Sequence, residues 1–203
     1  MNISIGNIRL SGGSHPTREQ GTCFMEAVAW IANETHSDHP ECVCPVFGAF
    51  IRRFQDDIPD KERQKLKPYL VMAIGTAEDG FGERRAWMCL DWYVRTVLPI
   101  YLECFGHVKE ATNLRLVGEI CSAETWSAAK PSISRTLAGL AAALDLAALA
   151  DRATRAAQQI TESGFALVDR MLLIQLEKPS ERERELAQPV EKAEESVDHK
   201  VGV

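Results

Sequence analysis

Ile133, Leu137, Leu140 and Leu144 follow one another at steps of three and four residues, and Leu149, Ala153, Ala156, Ile160, Leu167, Met171 and Ile174 continue the stripe after a one-residue shift. A strand turns every second side chain to the same face, so a pattern of this period running past 40 residues asks for one long helix or two in line. Pro131 suits the opening of that helix, and Gly164 marks a place where it could break. A stripe of this length must be covered by other helices or by a partner.

The rest of the chain reads the same way. Behind Pro45, a residue suited to a first helical position, Val46, Phe47, Phe50, Ile51, Phe54 and Ile58 recur at helical spacing and leave Arg52, Arg53, Asp56 and Asp57 on the other side. Residues 82–104 form a long helix with Trp87, Leu90, Val94, Leu98, Tyr101 and Leu102 on its apolar side and a bend at Pro99. CFMEAVAWIA, from Cys23 to Ala32, is apolar nearly all round, as in a helix surrounded by protein; a capping-box pattern at Thr17 to Gln20 starts this helix near residue 18 and carries it to about 33. Another helix begins near Asp60 and is interrupted at Pro68. GTAEDGFG, residues 75–82, is glycine-rich without the lysine–hydroxyl pair of a phosphate loop and reads as a flexible connection.

The fold class is therefore all-α: a single-domain helical bundle of about five main helices over residues 17–176. A short extended N-terminal arm (1–16) precedes it, and a charged tail (177–203) with almost no core-forming residues, expected to be disordered, follows. No stretch reaches the roughly 20 uncharged apolar residues of a membrane span, because Glu26, Asp91, Asp145 and Asp151 interrupt each candidate. The N-terminus lacks the basic and apolar regions of a secretory signal, so a cytoplasmic location is expected, with the six cysteines reduced. A net charge of −6 argues against non-specific binding to nucleic acid or anionic membranes. A nucleic-acid role would need Arg52, Arg53, Arg63, Arg84 and Arg85 to share one face.

The densest chemistry lies in HSDHPECVCPV, residues 36–46. Cys42, Cys44 and His39, joined by Cys23, His15 or His36, are the ligand types zinc prefers, but C-x-C is a poor tetrahedral chelate and no second knuckle is present. A catalytic reading joins Glu26 with Asp38 and His39 as an acid/base set, with Cys44 activated at the start of a helix. The structural reading has Ser37 and Asp38 capping a turn, His39 bonded to a backbone carbonyl, and Glu26, the single charge of its helix, paired with Arg52 or Arg53. Arg84 and Arg85 could hold a phosphate or pair with Glu78, Asp79 or Glu83. Trp30, Trp87 and Trp92 read as core.

Gly21, Cys23, Met25, Glu26, the Ser37-Asp38-His39-Pro40 loop, Pro45, Arg84, Arg85, Asp91, Trp92 and Asp169-Arg170-Met171 resemble the pattern of a group of hypothetical proteins from actinobacteria and their phages, over roughly residues 15–176. That group has no activity attached to it, so the resemblance implies a bacterial or phage cytoplasmic setting and carries over no catalytic residue. The leading expectation is a non-enzymatic interaction or regulatory protein working through a helical surface, with a protein partner or a second copy, and with an apolar patch along residues 133–176. The alternative is a metal-dependent or acid/base enzyme built on Glu26, Asp38, His39 and the neighbouring thiols.

Overall fold

The first helix starts later than the Thr17–Gln20 pattern predicts. Gly21 has φ of +149°, and a Cβ there would overlap the His15 ring, so the chain stays unwound as far as Cys23 and α1 spans Phe24–Ile31. Residues 17–20 make only a turn, closed by the Gln20 amide donating to the Thr17 carbonyl at 3.2 Å. The cap is C-x-x-E instead: the Cys23 sulfur accepts from the Glu26 amide at 3.4 Å, and the Glu26 carboxylate accepts from the Cys23 amide at 2.7 Å.

The structure, a computed structural model, describes residues 4–138 and 146–177, with the backbone course alone for 146–154. Among them there is no strand, and no helix is long and apolar enough to cross a membrane. The all-α fold class holds, and the expected tail, beyond Glu177, lies outside the described residues. Pro45 is the first residue of α2, Pro45–Asp57. Pro68, which has no amide proton to give, separates α3 (Asp60–Arg63) and a 3-10 turn (Gln64–Leu66) from α4 (Tyr69–Met72).

Residues 75–82 are not the flexible connection their composition implies. Gly75 and Ala77 donate to the Cys42 carbonyl at 2.9 and 3.2 Å, and the buried Thr76 hydroxyl accepts from the Cys44 amide at 2.8 Å. The rod that follows is α5 (Gly82–Trp92), a π turn (Tyr93–Val97) and α6 (Leu98–Cys104). Pro99 would drive its ring into the carbonyl four residues back, and the wider π turn makes room for it; the Leu98 amide donates five residues back, to Tyr93.

After α7 (Val108–Arg115), α8 spans Ala123–Ala138 and runs through Pro131, which is not its start. The start is fixed earlier, where Ser122 accepts from the Thr125 and Trp126 amides at 3.3 and 2.9 Å. Gly164 does not break α9 (Leu146–Leu173) either. It lets the helix backbone close on Phe54 of α2.

One core joins the N-terminal arm, α1, α2, α4 and the C-terminal half of α9 through Leu10, Phe24, Phe47, Ile51, Leu70, Leu167 and Met171. A second joins the π turn, α6, α7 and α8 through Val94, Leu102, Leu114, Ile120 and Ile133. The arm is tied in as well, since Leu10 is fully buried and its amide and carbonyl both bond the Gln64 side chain, at 3.1 and 2.8 Å. Most of the described stripe is covered: Ile133, Ala156, Leu167, Met171 and Ile174 are buried. Within the 133–176 range Leu173 and Leu176 are exposed; the Leu140, Leu144, Leu149 and Ala153 side chains lie outside the described residues.

At an ordinary exposed helix position alanine is better than glycine by about 1 kcal/mol. At 164 the added methyl overlaps the Phe54 ring, so Gly164→Ala is expected to lower stability by about 1–3 kcal/mol in urea unfolding.

Candidate functional site

Glu26, 1% exposed, is held by the chain that leads into its own helix. One carboxylate oxygen accepts from the His15 amide at 2.5 Å; the other accepts from the Cys23 amide at 2.7 Å and faces His15 Nδ1 at 2.9 Å. His36 continues the set, its Nε2 lying 2.9 Å from the His15 carbonyl. Burial pushes the Glu26 carboxyl up, but the Cys23 and His15 amides and the His15 ring outweigh it and leave it below the usual range. The partner is therefore two amides and a histidine, not Arg52 or Arg53. Arg52 donates to the Asp38 carbonyl at 3.1 Å and Arg53 pairs with Asp57 at 2.8 Å.

Asp38 and His39 form a separate, exposed pair, Nδ1 to Oδ1 at 2.6 Å. Ser37 Oγ accepts from the His39 amide at 3.0 Å, the turn expected of it, whereas the His39 ring meets a carboxylate and not a backbone carbonyl. Glu26, Asp38 and His39 thus do not converge on one point.

The thiols are divided too. Cys23 caps α1, and burial pushes its thiol up to about 12. Cys42 rests against Glu34, whose carboxylate takes the Glu41 and Cys42 amides at 2.7 and 2.9 Å. Burial, then that carboxylate, push the Cys42 thiol up to about 11. Cys44 sits at the start of α2, with its side chain against Arg85. Among the described residues no group of three or more His, Cys, Asp or Glu side chains is placed to hold a metal ion.

Arg85 is fully buried. Its two terminal nitrogens grip Asp79 at 2.7 and 2.5 Å, and its Nε donates to the Met171 carbonyl at 2.9 Å. With no exposed surface and its charge paired to Asp79, Arg85 is not presented to a phosphate. Arg84, on the outside, pairs with Glu177 at 2.6 Å. Arg63 is buried against the Gln55 and Ile58 carbonyls at 2.8 and 2.9 Å. The five arginines therefore make no common basic face.

What the sequence reading missed is a groove of about 570 Å³ between α2, the π turn and α9. Phe50, Phe54, Trp92, Val97 and Ile160 line it, Tyr93 and Tyr101 stand half exposed beside it, and the paired Arg53 and Asp57 lie at its edge. The available signal was the excess of aromatic residues at Phe50, Phe54, Trp92, Tyr93 and Tyr101, more than one helix contact needs.

The Glu26 carboxyl is depressed in the fold, so the stability it contributes is complete above the ordinary carboxylate range and is lost as pH falls through its folded value. Glu26→Gln is expected to cost about 1.5–3 kcal/mol at pH 7 and to flatten the acid limb of stability measured against pH. Asp79→Asn leaves the Arg85 charge buried without its partner and is expected to cost about 3–5 kcal/mol by the same measurement at pH 7. No protein-family model, curated protein or solved structure matches the chain.

Proposed function

We propose that the chain is a non-enzymatic interaction or regulatory protein, of bacterial or phage origin and cytoplasmic, that works through a helical surface. The observation that carries this reading is where its uncovered apolar side chains fall. Among the described residues, Tyr93, Tyr101, Phe105, Val108 and Leu116 are 40–78% exposed and fall in one stretch from the π turn to the end of α7, with Val71, Leu173 and Leu176 exposed elsewhere. Tyr101 and Phe105 are one turn apart on the same helix face. An apolar surface of this kind, rimmed by the Glu103–Arg115 ion pair, has the composition of an association site. It stands in place of the 133–176 stripe, most of whose described residues the fold covers.

The acid/base alternative has less support. Glu26 spends both oxygens on backbone amides and His15, Asp38 and His39 pair with each other, and the charged residues lining the groove, Arg53 and Asp57, neutralise one another.

The Tyr101→Glu/Phe105→Glu double variant is expected to change folding stability by less than about 0.5 kcal/mol for each exposed position and to weaken association by at least about tenfold. Sedimentation velocity reads this for self-association, and capture with the full chain from a bacterial lysate reads it for a partner. The reading fails if the wild-type chain stays monomeric and recovers no partner whose yield depends on these two residues.

A further inference from the structure

We infer that the groove between α2, the π turn and α9 is a binding site for one small, planar, apolar aromatic molecule. Its size favours a small molecule over a protein partner. The groove runs along positions 92–101 of the rod, about 14 Å at the rise of a helix. Its volume of about 570 Å³ falls within the roughly 300–1,000 Å³ of small-ligand pockets, which recur between the helices of bundles. A stable protein interface needs about 800 Å² and some 20–30 residues from each side, whereas twelve residues line this groove. A second copy of the chain or a partner helix would leave most of its own face unburied here.

The chemistry of the walls narrows the class. Phe50 stacks on Phe54 with ring centroids 5.5 Å apart and an interplanar angle of 12°, and meets Trp92 edge to face at 5.5 Å and 89°. The walls are therefore built of aromatic rings in mixed orientations, a lining suited to hold another aromatic ring in offset or T-shaped contact. On the floor the polar side-chain atoms are engaged, and the Tyr93 and Tyr101 hydroxyls and the Arg53 terminal nitrogens lie at the exposed edge. Trp92 Nε1 donates to Ser163 Oγ at 3.0 Å, the Thr161 hydroxyl donates to the Ala157 carbonyl at 2.8 Å, and Arg53 Nε is held by Asp57. An ionised group placed on the floor would lose its water and gain no partner, so the buried part of the ligand is uncharged. The π turn adds a residue to one wall, and such turns recur at binding sites.

This site shares Tyr93 and Tyr101 with the association surface proposed above, and the two readings are separated by Ala157, which lines the groove and lies outside that surface. The test titrates indole and 2-naphthol into the full chain, followed by NMR at the Trp92 indole proton and at the Val97 and Ile160 methyls, with decanoate as the acyl-chain control. Expected are one-site saturation, NOEs from the probe to those methyls, and tighter binding of the naphthol than of indole. Ala157→Trp, on an exposed position of α9 that faces the groove, fills it and should weaken binding at least tenfold without altering sedimentation. The NOEs in the wild-type chain locate the probe even if that variant does not fold. Failure to saturate, probe contacts elsewhere, undiminished binding by folded Ala157→Trp, or decanoate binding as well as the naphthol would each overturn the proposal.

Discussion

A guanidinium group with no access to water ties the main core together. Arg85 rises from α5, takes both oxygens of Asp79 in the preceding loop, and reaches across to the Met171 carbonyl of α9. A buried ion pair of this kind adds little net stability over a well-packed apolar replacement, but it tolerates only one geometry. It therefore locates three segments at once: the loop after α4, the start of α5 and the C-terminal half of α9. Cys44 completes the arrangement by placing the start of α2 against the same side chain. The groove and the exposed face of α6 are both consequences of where this point fixes the rod.

Glu26 does the corresponding work at the other end of the core. Because its carboxylate takes the amides of His15 and Cys23, the arm must fold back over the start of α1, and Gly21 lets the chain turn tightly enough for His15 to arrive. The group that looked most catalytic in the sequence is thus a clasp for backbone. Its acidity follows from that role, because the hydrogen bonds it accepts favour the charged form.

The helical class and the apolar faces of α2 and the rod were legible because a three-to-four period records which side of a helix is covered. The boundaries of α1 were not, since T-x-x-Q and C-x-x-E compete as caps and the contest is decided by a glycine whose φ is a tertiary fact. Proline was a poor guide to boundaries: Pro131 lies inside α8, whose start is fixed at Ser122, and Pro99 follows a π turn that the period of the pattern did not reveal. For the candidate site, spacing offered Glu78, Asp79 and Glu83 as partners for Arg84 and Arg85 but could not choose among them or show a pair buried. It gathered Glu26, Asp38, His39 and the thiols by proximity along the chain, whereas hydrogen bonding sorted them into separate sets. The groove was invisible because its walls come from three segments far apart in sequence.

The π turn has a further meaning for the architecture. An α-helix advances about 100° per residue, so one additional residue in a turn shifts everything after it out of phase with everything before it. Upstream of Tyr93 the rod already meets both cores, with Met88, Cys89 and Trp92 against that of α1, α2 and α9 and Trp87 and Leu90 against that of α7 and α8. From Val94 onward Val94, Leu98 and Leu102 continue the second contact, while Ile100 and Cys104 pack with Ala156 and Ile160 of α9. A single continuous rod thus serves both cores along its length, and the π turn sets the phase in which its second half meets them.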